Sequence, residues 1–195
     1  MSKLSDAVGT GRMLLRTTES SPFGRKPRMA MKILGLESRV DIEAADTVSE
    51  TDTLRTQNPL GKMPALILPA GDVLYDSRPI VEFLDELAGG HRLLPADGVE
   101  RYRAMTRAAL ADGIMDAGIL VVYEKRFRPD EHYTEGWIAH QKGKIVRGLA
   151  AFEKSPPDAE KSDIVSIGLC CALGYLDWRK QVDWRANHPR LGQWL

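Results

Sequence analysis

The spacing of apolar and polar positions changes character near residue 95. Before that point, Met13, Leu14 and Leu15 form a short apolar run, the length and type of a buried strand. Ser21 then precedes Pro22, and Phe23, Met29, Ala30, Ile33 and Leu34 recur at helical spacing up to Gly35. This predicts a helix over 22–34 with a serine N-cap, proline at the first helical position and a glycine stop. Pro27 lies inside it, where its missing N–H predicts a kink. Val40, Ile42 and Ala44 alternate with polar residues, as in a strand with one wet face. Residues 46–57 are polar and threonine-rich and predict a loop with a short helix. "MPALIL" (63–68) and "DVLY" (72–75) read as two strands joined by a turn at "PAG". Asp76 or Ser77 starts a helix through Leu87, with Ile80, Val81, Phe83, Leu84 and Leu87 as its apolar face and Gly89 and Gly90 as its stop.

Beyond residue 95 the spacing is helical throughout. Amphipathic stretches run from about 100 to 125 and from 134 to 153. A third, over 164–176, is apolar nearly all round, which predicts a central buried helix. Asp163 with Ser166 three residues on forms a capping box with the usual residue types exchanged. The elements sum to an α/β unit over 13–90 followed by an all-helical unit over 98–195. Residues 1–12, polar and rich in glycine and serine, are expected to form a flexible extension.

Composition narrows the function classes. The formal net charge is zero, which argues against a nucleic-acid partner. No run reaches the roughly 18 apolar residues of a membrane span. Cys170 and Cys171 are adjacent and cannot build a disulfide framework, so a cytoplasmic protein is expected. They lie in the most apolar helix, where thiols are structural. His91, His132, His140 and His188 show no metal-ligand spacing, so no metal is expected. Tyr123, Trp137, Tyr175 and Trp178 are expected to pack between helices. Met105 is expected in the core, and Met115 either there or against a ligand.

Four stretches carry a further signal: "SPFGRKPR" (21–28), "NPLGKMPALIL" (58–68), "YDSRPIVEFLDEL" (75–87) and "DIVSIGLCCALGYLDWR" (163–179). In this order and spacing the chain resembles the glutathione transferase superfamily, in its bacterial, serine-type form, over about 13–195. The resemblance implies a thioredoxin-like N-terminal domain followed by an all-α domain. It also implies glutathione as co-substrate, a small electrophile as second substrate and a homodimer. There are departures. Pro27 replaces an apolar residue of the first helix, and the cap of the central helix reads Asp163-Ile-Val-Ser166. "HPRLGQWL" (188–195) resembles the start of a final family helix.

Each part of the tripeptide then meets a candidate. Met63 precedes Pro64, which biases it to an extended backbone that offers N–H and C=O to a ligand main chain; the pair also fits a plain edge strand. In the family this proline is cis. Asp76 and Ser77 open a helix whose free N–H groups and partial positive charge suit the γ-glutamyl carboxylate, with Asp76 for the ammonium group. A simple cap is the alternative. Lys62 is the candidate for the glycyl carboxylate, or a solvated loop lysine. Ser21 occupies the position where some relatives carry cysteine. Serine excludes a mixed disulfide and favours thiolate activation. Lowering a thiol pKa from about 8.5 to about 6.5 takes about 2.7 kcal/mol of preferential thiolate stabilisation. A hydroxyl and the N–H groups of a helix start are suited to supply it. Ser20 and Thr18 compete for the same role, and Ser21 also fits a plain cap. Two other functions fit the same residues: a non-catalytic binding or adaptor module with this fold, and a glutathione-dependent isomerase or dehalogenase.

Overall fold

The computed structural model describes residue 4 and residues 8–195. The chain divides into two compact units, Met1–Arg101 and Tyr102–Leu195. The first is built from β1 (Met13–Arg16), α1 (Pro22–Leu34), β2 (Val40–Glu43), α2 (Leu54–Gln57), β3 (Ala65–Ile67), β4 (Val73–Leu74) and α3 (Ser77–Leu87). The strands form one mixed sheet in the order β2-β1-β3-β4. β1 runs parallel to β2, Met13 opposite Val40, and antiparallel to β3, with Arg16 opposite Ala65. β3 and β4 are antiparallel, Leu66 opposite Leu74. A parallel pair needs a crossover, and α1 supplies it. α1 and α3 pack against each other. This is the thioredoxin-like arrangement expected from the sequence.

Local chemistry sets the ends of α1. Ser21 is extended and its Oγ accepts from the Gly24 N–H at 3.0 Å. At the other end Gly35 adopts φ 73° and donates to the Lys32 carbonyl, while the Leu36 N–H reaches the Met31 carbonyl at 2.8 Å. That pair of bonds is a Schellman cap, which needs the left-handed conformation glycine adopts freely. Pro27 is buried and does not end the helix. β2 departs from the expected alternation: Val40 is buried but Ile42 is 50% exposed. As the sheet's edge strand, β2 is covered only at its first residue.

The polar 44–57 segment is tied to the sheet by a buried cation. The Arg16 guanidinium, at the end of β1, donates to Thr53 Oγ1 at 2.8 Å, Gln57 Oε1 at 2.9 Å, Asp52 Oδ1 at 2.8 Å and the Ala44 carbonyl at 3.1 Å. Below this, Ala45, Leu54 and Ala65 form a small apolar cluster against which Met63 and Val73 pack. Of the extension expected over 1–12, residues 1–3 and 5–7 lie outside the described residues. Val8 is buried, Arg39 donates to the Gly9 carbonyl at 2.9 Å, and Arg12 pairs in fork geometry with Asp41.

The second unit is all helical. It holds most of α4 (Gly98–Phe127), then α5 (Glu135–Lys154), α6 (Ile164–Arg179), α7 (Trp184–Asn187) and α8 (Pro189–Trp194). α6 is buried on nearly every side. Its capping box is complete: Asp163 Oδ1 accepts from the Val165 and Ser166 N–H groups, and Ser166 Oγ accepts from the Asp163 N–H at 2.8 Å. Cys171 lies inside this helix's packing, as expected. Other expectations are corrected. Met105, expected in the core, is exposed, whereas Met115 is buried, one of its two expected places. Of the four aromatics expected between helices only Tyr175 is buried; Trp178 is exposed, with the Arg179 guanidinium 3.8 Å from its ring centre. An arginine over an indole face satisfies both groups at the surface. No helix among the described residues is long and apolar enough to cross a membrane.

Candidate functional site

The strand order gathers the candidate segments. β1 ends at Arg16 opposite Ala65, where β3 begins, and β4 runs back beside β3 to leave the sheet at the same end. Residues 17–21, 62–64 and 75–77 therefore all emerge from one end of three neighbouring strands. Antiparallel pairing on both sides of β3 makes this a consequence of register. A direct contact joins the first two segments: Thr18 Oγ1 lies 3.3 Å from Met63 Sδ.

Ser21 sits at the tip of α1, half-buried, with its backbone N–H on the Thr18 carbonyl at 3.3 Å. Its Oγ takes the Gly24 N–H and keeps its own proton to donate. The rival hydroxyls face each other, Thr18 Oγ1 and Ser20 Oγ being 2.9 Å apart. Ser20 is exposed and Thr18 half-buried. The first turn of α1 holds no acidic residue, and Arg25 extends into solvent one turn on. An unopposed helix start presents partial positive charge to whatever lies at its tip.

Met63 is half-buried, Pro64 buried, and the peptide between them is cis. Lys62 is exposed. Asp76 is the N-cap of α3 and accepts from the Arg78 N–H at 2.9 Å. Its carboxylate is exposed, while Ser77, the first helical residue, is buried. One helix start thus carries a wet carboxylate and a sheltered hydroxyl.

Two structural residues of this end were missing from the sequence reading. A Cβ built on Gly24 lies 1.7 Å from Thr17 Oγ1, so only glycine lets the first turn of α1 close on the end of β1. Its signal was a glycine inside a helical turn. The other is Asn58, 2% exposed at the end of α2. Its side chain donates to the Lys62 carbonyl at 2.8 Å and accepts from the Leu60 N–H at 3.1 Å, and its carbonyl accepts from Gly61 at 2.8 Å. Its signal was an asparagine opening a proline–glycine turn. Cys170 and Cys171 form no disulfide, and the described residues hold no group of three histidine, cysteine, aspartate or glutamate side chains placed for a metal.

Known proteins resemble this chain in sequence and in fold. Residues 20–87, which include every candidate position but Thr18, match the family profile of the glutathione S-transferase N-terminal domain. A crystal structure of a glutathione transferase family member from Pseudomonas fluorescens Pf-5, with bound glutathione, is similar with a TM-score of 0.88 and 43% identity; the match covers 93% of this chain and 91% of that one. The uncharacterized GST-like protein YibF of Escherichia coli K12 is 34% identical over 186 residues, 92% of this chain and 90% of its own. Maleylacetoacetate isomerase of Pseudomonas aeruginosa is 34% identical over 149 residues, 73% of this chain and 68% of its own.

Proposed function

The chain belongs to the glutathione transferase superfamily, and from that premise we propose that its first unit binds glutathione, holds the thiol as a thiolate at Ser21 and conjugates it to a small electrophile. The observation that carries this reading is the convergence of residues 17–21, 62–64 and 75–77 at one sheet end, joined by the Thr18–Met63 contact. In this reading the Met63 main chain pairs with the tripeptide backbone. Ser77 and the α3 N–H groups receive the γ-glutamyl carboxylate, Asp76 pairs with the ammonium group, and Lys62 pairs with the glycyl carboxylate. Pro64 holds Met63 extended.

Ser21 suits the thiolate better than its neighbours. Its oxygen already accepts an N–H, and a hydroxyl polarised in this way is a stronger donor. Thr18 and Ser20 spend hydrogen-bonding capacity on each other. The thiol proton passes to solvent, the sulfur bonds to the electrophilic carbon, and the leaving group departs or the acceptor double bond takes up a proton. Saturable glutathione binding by calorimetry is the primary test. Ser21→Ala is expected to lower turnover on the order of tenfold to a hundredfold, the scale of one lost hydrogen bond to a charged group, with a smaller change in glutathione affinity. Equal turnover in variant and wild type moves the role to Ser20 or Thr18.

A second reading, isomerisation through reversible thiolate addition, is favoured by the match to maleylacetoacetate isomerase. It uses the same site, and a screen of electrophiles with and without leaving groups separates the two. Glutathione binding with a thiol pKa equal to that in free solution points instead to a binding module. We also infer a cytoplasmic homodimer.

A further inference from the structure

We propose that Asn58 is a positioning residue for glutathione: its side-chain amide fixes the peptide plane that carries the Met63 N–H. The inference rests on the glutathione-binding reading above and deepens it.

Asn58 is nearly inaccessible, and both halves of its amide are engaged within one turn. Its Oδ1 accepts from the Leu60 N–H at 3.1 Å, which sets which way the amide faces. Its Nδ2 then donates to the Lys62 carbonyl at 2.8 Å. The Asn58 main chain closes the turn from the other side, its N–H on the Leu54 carbonyl at 2.7 Å and its carbonyl on the Gly61 N–H at 2.8 Å. The residue is thus anchored at α2 and reaches across to residue 62.

The consequence follows from peptide geometry. The Lys62–Met63 peptide is trans. In a planar trans peptide the C=O of one residue and the N–H of the next point in opposite directions. With the Lys62 carbonyl held toward Asn58, the Met63 N–H points away from the turn. No backbone hydrogen bond among the described residues uses that N–H. A donor aimed before the ligand arrives binds without first ordering a loop, and that saving appears as affinity. Met63 is held from its side chain as well, by the Ala45–Leu54–Ala65 cluster and the Thr18 contact. Those contacts place the residue; the Asn58 amide sets the rotation of the plane preceding it.

Ser21 is on another segment, so the Asn58 amide and the Ser21 hydroxyl are separable. The test uses the full chain with glutathione as ligand and two variants. Asn58→Ala removes both side-chain bonds. Asn58→Asp keeps an acceptor for the Leu60 N–H but, when ionised, offers no donor to the Lys62 carbonyl. Both are expected to weaken glutathione binding on the order of tenfold, the scale of one lost buried hydrogen bond. Turnover at saturating glutathione and the pKa of the bound thiol are expected to stay at wild-type values. A purely structural role would lower turnover together with the fraction of folded protein, and thermal melts on the same samples read that out. Unchanged affinity in Asn58→Asp overturns the inference even if Asn58→Ala fails to fold. Wild-type protein that does not bind glutathione overturns the reading beneath it instead, so the two failures are distinct.

Discussion

A methyl group at residue 24 would meet the Thr17 hydroxyl oxygen at 1.7 Å and its Cβ at 3.0 Å. Thr17 is buried just after β1, so its side chain moves aside only at the cost of its own packing. Gly24→Ala is therefore expected to cost about 3 kcal/mol or more, the upper range for overpacking, and to displace the turn that carries Ser21. Thr17→Ala in the same chain removes the nearer clash and leaves the 3.0 Å contact, so it should restore part of the stability lost. Denaturant melts of the single and double variants measure this; equal stability of Gly24→Ala and wild type would refute the close-packing account. Ser21 was legible in the sequence because a cap is a local event: serine, then proline, then an apolar periodicity. Gly24 and Asn58 were not, because their importance lies in what each meets. Glycine at 24 matters through an oxygen on the residue that follows β1, and asparagine at 58 through a carbonyl four residues away.

Among the elements, helices were legible nearly to the residue where caps mark them, and α1 and α3 occupy the expected spans. Strands were less so. β3 covers only Ala65–Ile67 of the expected 63–68, because β1 ends at Arg16, opposite Ala65, and Pro64 has no N–H with which to extend the ladder. The docking of the 44–57 loop was invisible, because it depends on Arg16, which reads in sequence as the polar end of an apolar run. Asp52 is its main carboxylate partner. The N–H groups of Asp46 and Leu54, and then Arg16, hold the Asp52 carboxyl below its usual range. A carboxyl depressed in the folded state stabilises above its unfolded pKa, about 3.9, and that stabilisation disappears as pH falls through the folded value. Asp52→Asn should accordingly lower the urea midpoint at pH 7, leaving the buried Arg16 without that negative charge. The gap between variant and wild type should narrow below about pH 4. A gap that is constant from pH 7 to pH 3 would show that the charge is irrelevant there.

In the whole molecule, the change of hydrophobic spacing near residue 95 and the division between units at Arg101 and Tyr102 do not coincide. Periodicity records where a helix begins, whereas units divide where contacts thin out, and α4 begins at Gly98 before the second unit does. The same helix carries an exposed apolar surface that includes Met105, expected in the core. Val99, Tyr102 and Met105, three residues apart, are 60%, 68% and 42% exposed. Residues three apart on a helix lie on one side, so these form a stripe of large apolar side chains facing water. Contiguous exposed apolar surface marks a place where something binds, and the expected homodimer is the simplest occupant, because a closed two-fold interface places the same patch on both partners. Light scattering at micromolar concentration should then give twice the chain mass of 21.7 kDa. Tyr102→Glu would put a charge into the centre of that stripe, where an unpaired buried charge is strongly unfavourable, and should shift the measured mass toward a single chain while leaving helix content unchanged. Wild-type protein of single-chain mass at every concentration would remove the dimer. A dimer that survives Tyr102→Glu would move its interface off this stripe and onto another face of the chain.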